Sequence, residues 1–127
     1  MILIIDTTDN EIIKLALENN KKIIDKKKIK ARRKQSEKLL PGIDKLLKDN
    51  NLTWRSIKKI EVANRGGSFT SLRIGVATAN ALAYALGVKA ESLDAEETSR
   101  ERIRKNKISI VAAEYDRDPD IKLKNSP

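Results

Sequence analysis

The apolar residues of this chain first change their spacing near residue 35, from three strand-like runs to a helical period, and that change limits what it can fold into. Before it, three isoleucine-rich runs at 1–5, 11–17 and 22–30 are separated by Thr7-Thr8-Asp9-Asn10 and Glu18-Asn19-Asn20-Lys21. Short β-branched runs joined by turn formers read as an antiparallel meander. After it, Leu39, Leu40, Ile43, Leu46 and Leu47 recur at helical spacing, with Lys38, Asp44, Lys45 and Lys48 on the other side. Ser36 is the expected N-cap of this helix, and Pro41, which lacks an amide proton, is expected near the first turn or at a kink. A strand at 57–63, the turn Asn64-Arg65-Gly66-Gly67 and a second helix follow. Ser68 or Thr70 caps that helix, which runs to about Leu86 and stops at Gly87 before a brief strand at 88–91. Residues 92–105 place acids early and bases late, the order that complements a helix dipole, and 108–113 reads as another strand. The order β-β-β-α-β-α-β-α-β is that of an α/β domain with a mixed sheet.

A length of 127 residues suits one domain with a single core, and with aromatics at only 3% that core must be aliphatic. The chain has no cysteine and no histidine, which removes thiolate nucleophiles, imidazole bases and zinc sites that need either ligand. No paired carboxylates, Ser-His-Asp set or metal-ligand cluster stands out, so no metal site is expected. The apolar start meets Asp6 after five residues, too few for a secretory signal or a membrane span. A cytoplasmic location is therefore expected.

The net charge of +9 is concentrated at 21–34, where nine lysines and arginines face a single acid, Asp25. A local basic patch attracts phosphate backbones regardless of sequence, and Lys26, Lys27, Lys28, Arg32 and Arg33 are the candidate RNA contacts. The alternative is an ordinary solvated face. Asp6-Thr7-Thr8 after a strand has the form of a phosphate-facing hairpin, although the same residues can simply satisfy local amides. Gly66-Gly67-Ser68 lies between a strand and a helix start, where backbone amides attract anions, but the Walker spacing is absent. In the second helix Gly75, Ala79 and Ala83 lie four apart beside Leu72, Val76 and Leu86. That stripe either packs on the chain's own sheet or offers a close-approach face to a partner helix.

Taken in order, three segments resemble the first lobe of the TsaB (YeaZ) family. Met1 to Thr8 is similar to its first strand and Asp-Thr turn. Gln35-Ser36-Glu37-Lys38-Leu39-Leu40-Pro41 is similar to its first helix, usually opened by His-Ser-Glu. Gly67-Ser68-Phe69-Thr70-Ser71-Leu72-Arg73-Ile74-Gly75-Val76-Ala77-Thr78-Ala79 resembles the long signature Gly-Ser-Phe-Thr-Gly-Leu-Arg-Ile-Gly-Val-Ala-Thr-Ala. The resemblance covers about residues 1–93. The chain departs from the family at Gln35 (His), at Arg65-Gly66 (Gly-Pro) and at Ser71 (Gly).

The resemblance implies an actin-like ATPase (ribonuclease H-like) lobe at 1–105, the start of a second lobe at 106–127, and most of that second lobe missing. It implies a non-catalytic scaffold in the formation of threonylcarbamoyladenosine in tRNA, with no cofactor of its own and nucleotide only at a site shared with a partner. The partners it implies are a TsaD-like catalytic subunit, a TsaE-like ATPase and a second copy of the chain, with tRNA reached through the complex. The metal-binding His pair of TsaD has no counterpart in a chain without histidine. Leu39, Leu40, Ile43, Leu47, Leu72, Arg73, Val76, Ala79 and Ala83 are then the expected partner interface, and Asp6, Thr7, Thr8, Gly66 and Gly67 a vestigial phosphate site. The rival reading is a small basic tRNA-binding module acting through 21–34.

Overall fold

The computed structural model describes residues 1–93. They form the strands β1 (Ile2–Asp6), β2 (Ile12–Asn19), β3 (Lys22–Lys30), β4 (Lys59–Val62) and β5 (Lys89–Ser92), with the helices α1 (Gln35–Asp49) and α2 (Phe69–Leu86). One sheet holds all five strands in the order β3-β2-β1-β4-β5. β1 to β3 are an antiparallel meander, and β4 and β5 join β1 in parallel. The expected mixed sheet is what forms. The helix expected over 92–105 and the strand over 108–113, with the proposed second-lobe remnant at 106–127, lie outside the described residues.

Local chemistry explains most boundaries. Asn20 and Lys21, both left-handed at φ 53° and 67°, make the two-residue turn between β2 and β3 that right-twisted strands prefer. A bulge at Leu17/Glu18 shifts the register near the start of β3. Ser68 caps α2 by accepting from the Ser71 N–H at 3.3 Å, and Gly87 ends it at φ 70°, donating to the carbonyls of Ala83 and Tyr84. α1 corrects the expected start. Its N-cap is Lys34, with no side-chain cap, and Ser36 lies inside the helix. The start is fixed from a distance instead: the buried Gln35 amide donates to the Asn10 carbonyl at 2.5 Å. Pro41 sits mid-helix and exposed, so the carbonyl it leaves without a helical donor is on the solvent side.

Both helices pack on one face of the sheet. Leu3, Ile5, Ile13, Leu15, Leu17, Ile60 and Val62 meet Leu39, Ile43, Leu46 and Leu47 of α1 and Leu72, Val76, Ala79 and Ala83 of α2 in one aliphatic core. Two glycines set the helix heights. A Cβ at Gly42 would strike Ile29 of β3, and one at Gly75 would strike Thr7.

On the opposite face, Lys59 lies 3.3 Å from Glu61 and 3.0 Å from Glu91. Burial alone would lower the Lys59 pKa, but two carboxylates outweigh it and hold the ammonium above its ordinary value. Glu61 has only a share of that cation. Burial pushes its carboxyl up, Lys59 opposes this, and Glu18 and Glu91 add to the rise. A carboxyl whose folded pKa is raised contributes stability that is full below its unfolded pKa and lost as pH rises through the folded value. Glu61→Gln, whose amide oxygen still accepts from Lys59, is therefore expected to gain on wild type in melting temperature between about pH 4 and pH 7. A variant melting temperature that stays level with wild type, or falls relative to it, as pH rises over that range would contradict this reading of Glu61.

Candidate functional site

Two turns meet at the ends of β1 and β4 where α2 begins. Asp6 closes β1, and its Oδ1 accepts from both the Thr8 N–H at 2.9 Å and the Thr8 hydroxyl at 2.6 Å. The buried Thr7 hydroxyl donates to the Ser71 carbonyl in the first turn of α2 at 2.6 Å. The Ser68 N–H donates to the Thr8 carbonyl at 2.9 Å. Gly66 and Gly67, at φ 87° and 71°, carry the chain between them, and a Cβ on Gly67 would collide with the Thr8 backbone. Beside them, the Ser92 hydroxyl donates to Asn64 Oδ1 at 2.6 Å. The five residues expected at a phosphate site are thus brought together, with α2's N-terminus beside them. Asp6 and Thr8 bond within their own turn, and the Thr7 hydroxyl and the Thr8 carbonyl tie that turn to the start of α2. The links through Ser71, Asn64 and Ser92 had no signal in the sequence, because each joins residues far apart in the chain.

The helical face expected to meet a partner is corrected by burial. Leu39, Ile43, Leu47, Leu72, Val76, Ala79 and Ala83 are each 5% exposed or less and belong to the chain's own core. The small residue Gly75 of that stripe is what lets α2 approach Thr7. Of the nine residues, Leu40 at 47% and the exposed Arg73 stand in solvent. The free face of α2 lies two positions away in register. It carries Thr70, Arg73, Ala77, Ala81, Tyr84 and Ala85, with Tyr84 92% exposed. The Arg73 guanidinium lies 5.6 Å from the Phe69 ring centroid. Arg73 is the single charged residue among the 18 of α2. Surface helices ordinarily carry charged residues on the outward side.

The basic segment divides by strand alternation. Lys26 and Lys28 point away from the helices, whereas Lys27 turns toward α1 and lies 3.7 Å from Asp49. Arg32 lies 3.9 Å from Glu11, and Arg33 occupies a left-handed turn position at φ 59°. The five candidates therefore do not form one surface. Asp25 at the same strand accepts from Asn50 and from the Lys26 N–H, and these bonds hold its carboxyl below the usual range.

Among the described residues no group of three or more His, Cys, Asp or Glu side chains is placed to hold a metal ion. No described helix is long and apolar enough to cross a membrane.

Comparison with known proteins finds relatives that are described as tRNA-modification proteins. The family model described as TsaD, tRNA N6-adenosine threonylcarbamoyltransferase, matches residues 21–94. The tRNA threonylcarbamoyladenosine biosynthesis protein TsaB of Bacillus subtilis (strain 168) is 32% identical over 97 residues, 76% of this chain and 42% of that protein. A tRNA N6-adenosine threonylcarbamoyltransferase of Brachyspira hyodysenteriae (strain ATCC 49526 / WA1) is 45% identical over 64 residues, 50% of this chain and 19% of that protein. Among solved structures, YeaZ from Pseudomonas aeruginosa superimposes with a TM-score of 0.66 at 22% identity, covering 84% of this chain and 49% of that one. A protein described as similar to peptidase YEAZ from Pseudomonas aeruginosa gives 0.67 at 22% identity, covering 83% and 48%. The chain spans less than half the length of each of these proteins.

Proposed function

This chain belongs to the TsaB (YeaZ) family, within the group that the threonylcarbamoyltransferase model describes, and has its actin-like fold; from that premise we propose that it is a non-catalytic partner subunit in the formation of threonylcarbamoyladenosine in tRNA. It pairs with a TsaD-type catalytic subunit, and a TsaE-type ATPase joins the pair. One observation carries the pairing: the outward face of α2 is alanine and tyrosine with a single charge. Small side chains let a partner helix approach closely, and an exposed tyrosine supplies a large contact at low entropic cost. A stable pairing of this kind buries roughly 1,200–2,000 Å² in total.

The non-catalytic half of the proposal is supported by composition and by the turn cluster. Without histidine or cysteine the chain lacks imidazole bases and thiolate nucleophiles. Asp6, the acid nearest the phosphate-type turn, has Oδ1 engaged by Thr8. Nucleotide, where it takes part, is held with the partner.

Co-expression with a TsaD subunit tests the pairing. The two chains are expected to co-purify in a fixed ratio through size exclusion. Elution of this chain alone, as a monomer or as a homodimer, would sink it.

A further inference from the structure

The face of the sheet opposite the helices is divided by charge. At β4–β5, Lys59 is neutralised by Glu61 and Glu91. At β2–β3 the balance is missing. Lys28 stands directly across from Lys14, Lys26 across from Ala16, and Lys30 across from Ile12. All four lysines are exposed, and among the described residues none is in an ion pair. Directly opposed side chains lie about 5 Å apart at Cβ and diagonal ones about 7–8 Å, so Lys14 has three cationic neighbours within that range. Its neighbour across β1 is the Asp6 carboxylate, and Glu18 of β2 lies on the same face, so four lysines stand against two acids and the patch keeps a net positive charge.

Like charges set opposite each other destabilise a sheet. Lysines on an outer strand have a ready explanation, because they keep the edge from pairing with another chain. That accounts for Lys26, Lys28 and Lys30, since β3 is the edge, but not for Lys14 on the interior strand β2. The helix side of the chain is treated differently. Lys27 and Lys45 share Asp49, and Lys48 pairs with Asp44.

We propose that Lys14, Lys26, Lys28 and Lys30 form a surface that tracks the phosphate backbone of RNA. The choice of RNA among polyanions rests on the tRNA-modification function proposed above. Neither β2 nor β3 contains an aromatic residue on which a base could stack. Recognition is therefore of the backbone and independent of sequence. The acidic half of the same face, at Glu61 and Glu91, confines the strand to the β2–β3 side.

The test uses the full chain, unmodified tRNA and a salt titration followed by fluorescence anisotropy. With four phosphate contacts, wild-type affinity falls about 10²-fold between 50 and 200 mM salt. Replacing Lys14, Lys26, Lys28 and Lys30 together by Gln weakens binding at least about tenfold at the low end and flattens the log–log slope by about 3. The variant's melting temperature stays equal or rises, because the repulsion is relieved. A control replacing Lys34, Lys38, Lys45 and Lys48 by Gln removes the same charge from elsewhere and keeps the wild-type slope. Equal losses in both variants would assign the affinity to net charge and overturn the proposal, as would unchanged binding in the first. Binding of phosphatidylserine vesicles in place of tRNA, lost in the same variant, would overturn the assignment to RNA. Pairing with the TsaD subunit is measured on the same proteins. Its failure alongside surface-dependent tRNA binding would sink the proposed function and leave the RNA surface intact.

Discussion

Replacing Ala79 by Glu is expected to lower the melting temperature steeply or unfold the chain, while the same change two positions on, at Ala81, leaves the melting temperature within a few degrees of wild type. Ala79 is 0% exposed and packed in the core between α2 and the sheet. A carboxylate there has no partner and no room. An uncompensated buried charge costs about 3–5 kcal/mol, a large share of the 5–15 kcal/mol by which a domain is stable. Ala81 is exposed on the outward side of the same helix, where Glu replaces one good helix former by another. Circular dichroism melts of the two variants read this directly. An Ala79→Glu protein that melts as wild type does would mean that the inner face of α2 has been assigned wrongly.

Gly75→Val is the second large effect. A Cβ at this position runs into the Thr7 side chain, whose hydroxyl is bound to the Ser71 carbonyl on the same helix. The valine must push α2 away from β1 or displace Thr7 and leave a buried hydroxyl unpaired. Overpacking costs about 1–3 kcal/mol and a lost buried hydrogen bond about another 1–2 kcal/mol. Together these lower the urea midpoint well beyond the ordinary spread of surface variants. Because Thr7 and Ser71 belong to the locked turns, the two-turn cluster loosens with it. A midpoint unchanged from wild type would show that α2 does not sit where Gly75 now lets it sit.

The strands and the second helix were readable because their signals are local. Apolar, β-branched runs between turn formers mark β1 to β3, Ser68 or Thr70 marks the start of α2, where Ser68 is the cap, and Gly87 marks its end. The start of α1 was not readable from its own residues, since Gln35 is fixed by Asn10, 25 positions earlier. The faces of α2 were harder for a physical reason. Alanine suits core and surface alike, so Ala79 and Ala83 inside and Ala77, Ala81 and Ala85 outside carry nearly the same signal. Leu72 and Val76, which belong to the buried set, mark the inner side more reliably than the small residues do. The lysine surface was half visible. Charge density pointed to β3, but alternation removed Lys27 from it, and Lys14 joins only through the register of the β2–β3 hairpin. The Asp6 and Gly67 turns were each legible as turns, whereas their mutual contact needed the parallel pairing of β1 with β4.

Pairing of the outward face of α2 with a TsaD-type subunit is read by isothermal calorimetry of wild type and Ala81→Glu against that subunit. Wild type is expected to bind, and the folded Ala81→Glu chain to lose at least about tenfold in affinity, or more than about 1.4 kcal/mol, as a charge set at an interface centre does. A folded Ala81→Glu chain that binds with wild-type affinity would contradict the account and move the interface off this helix.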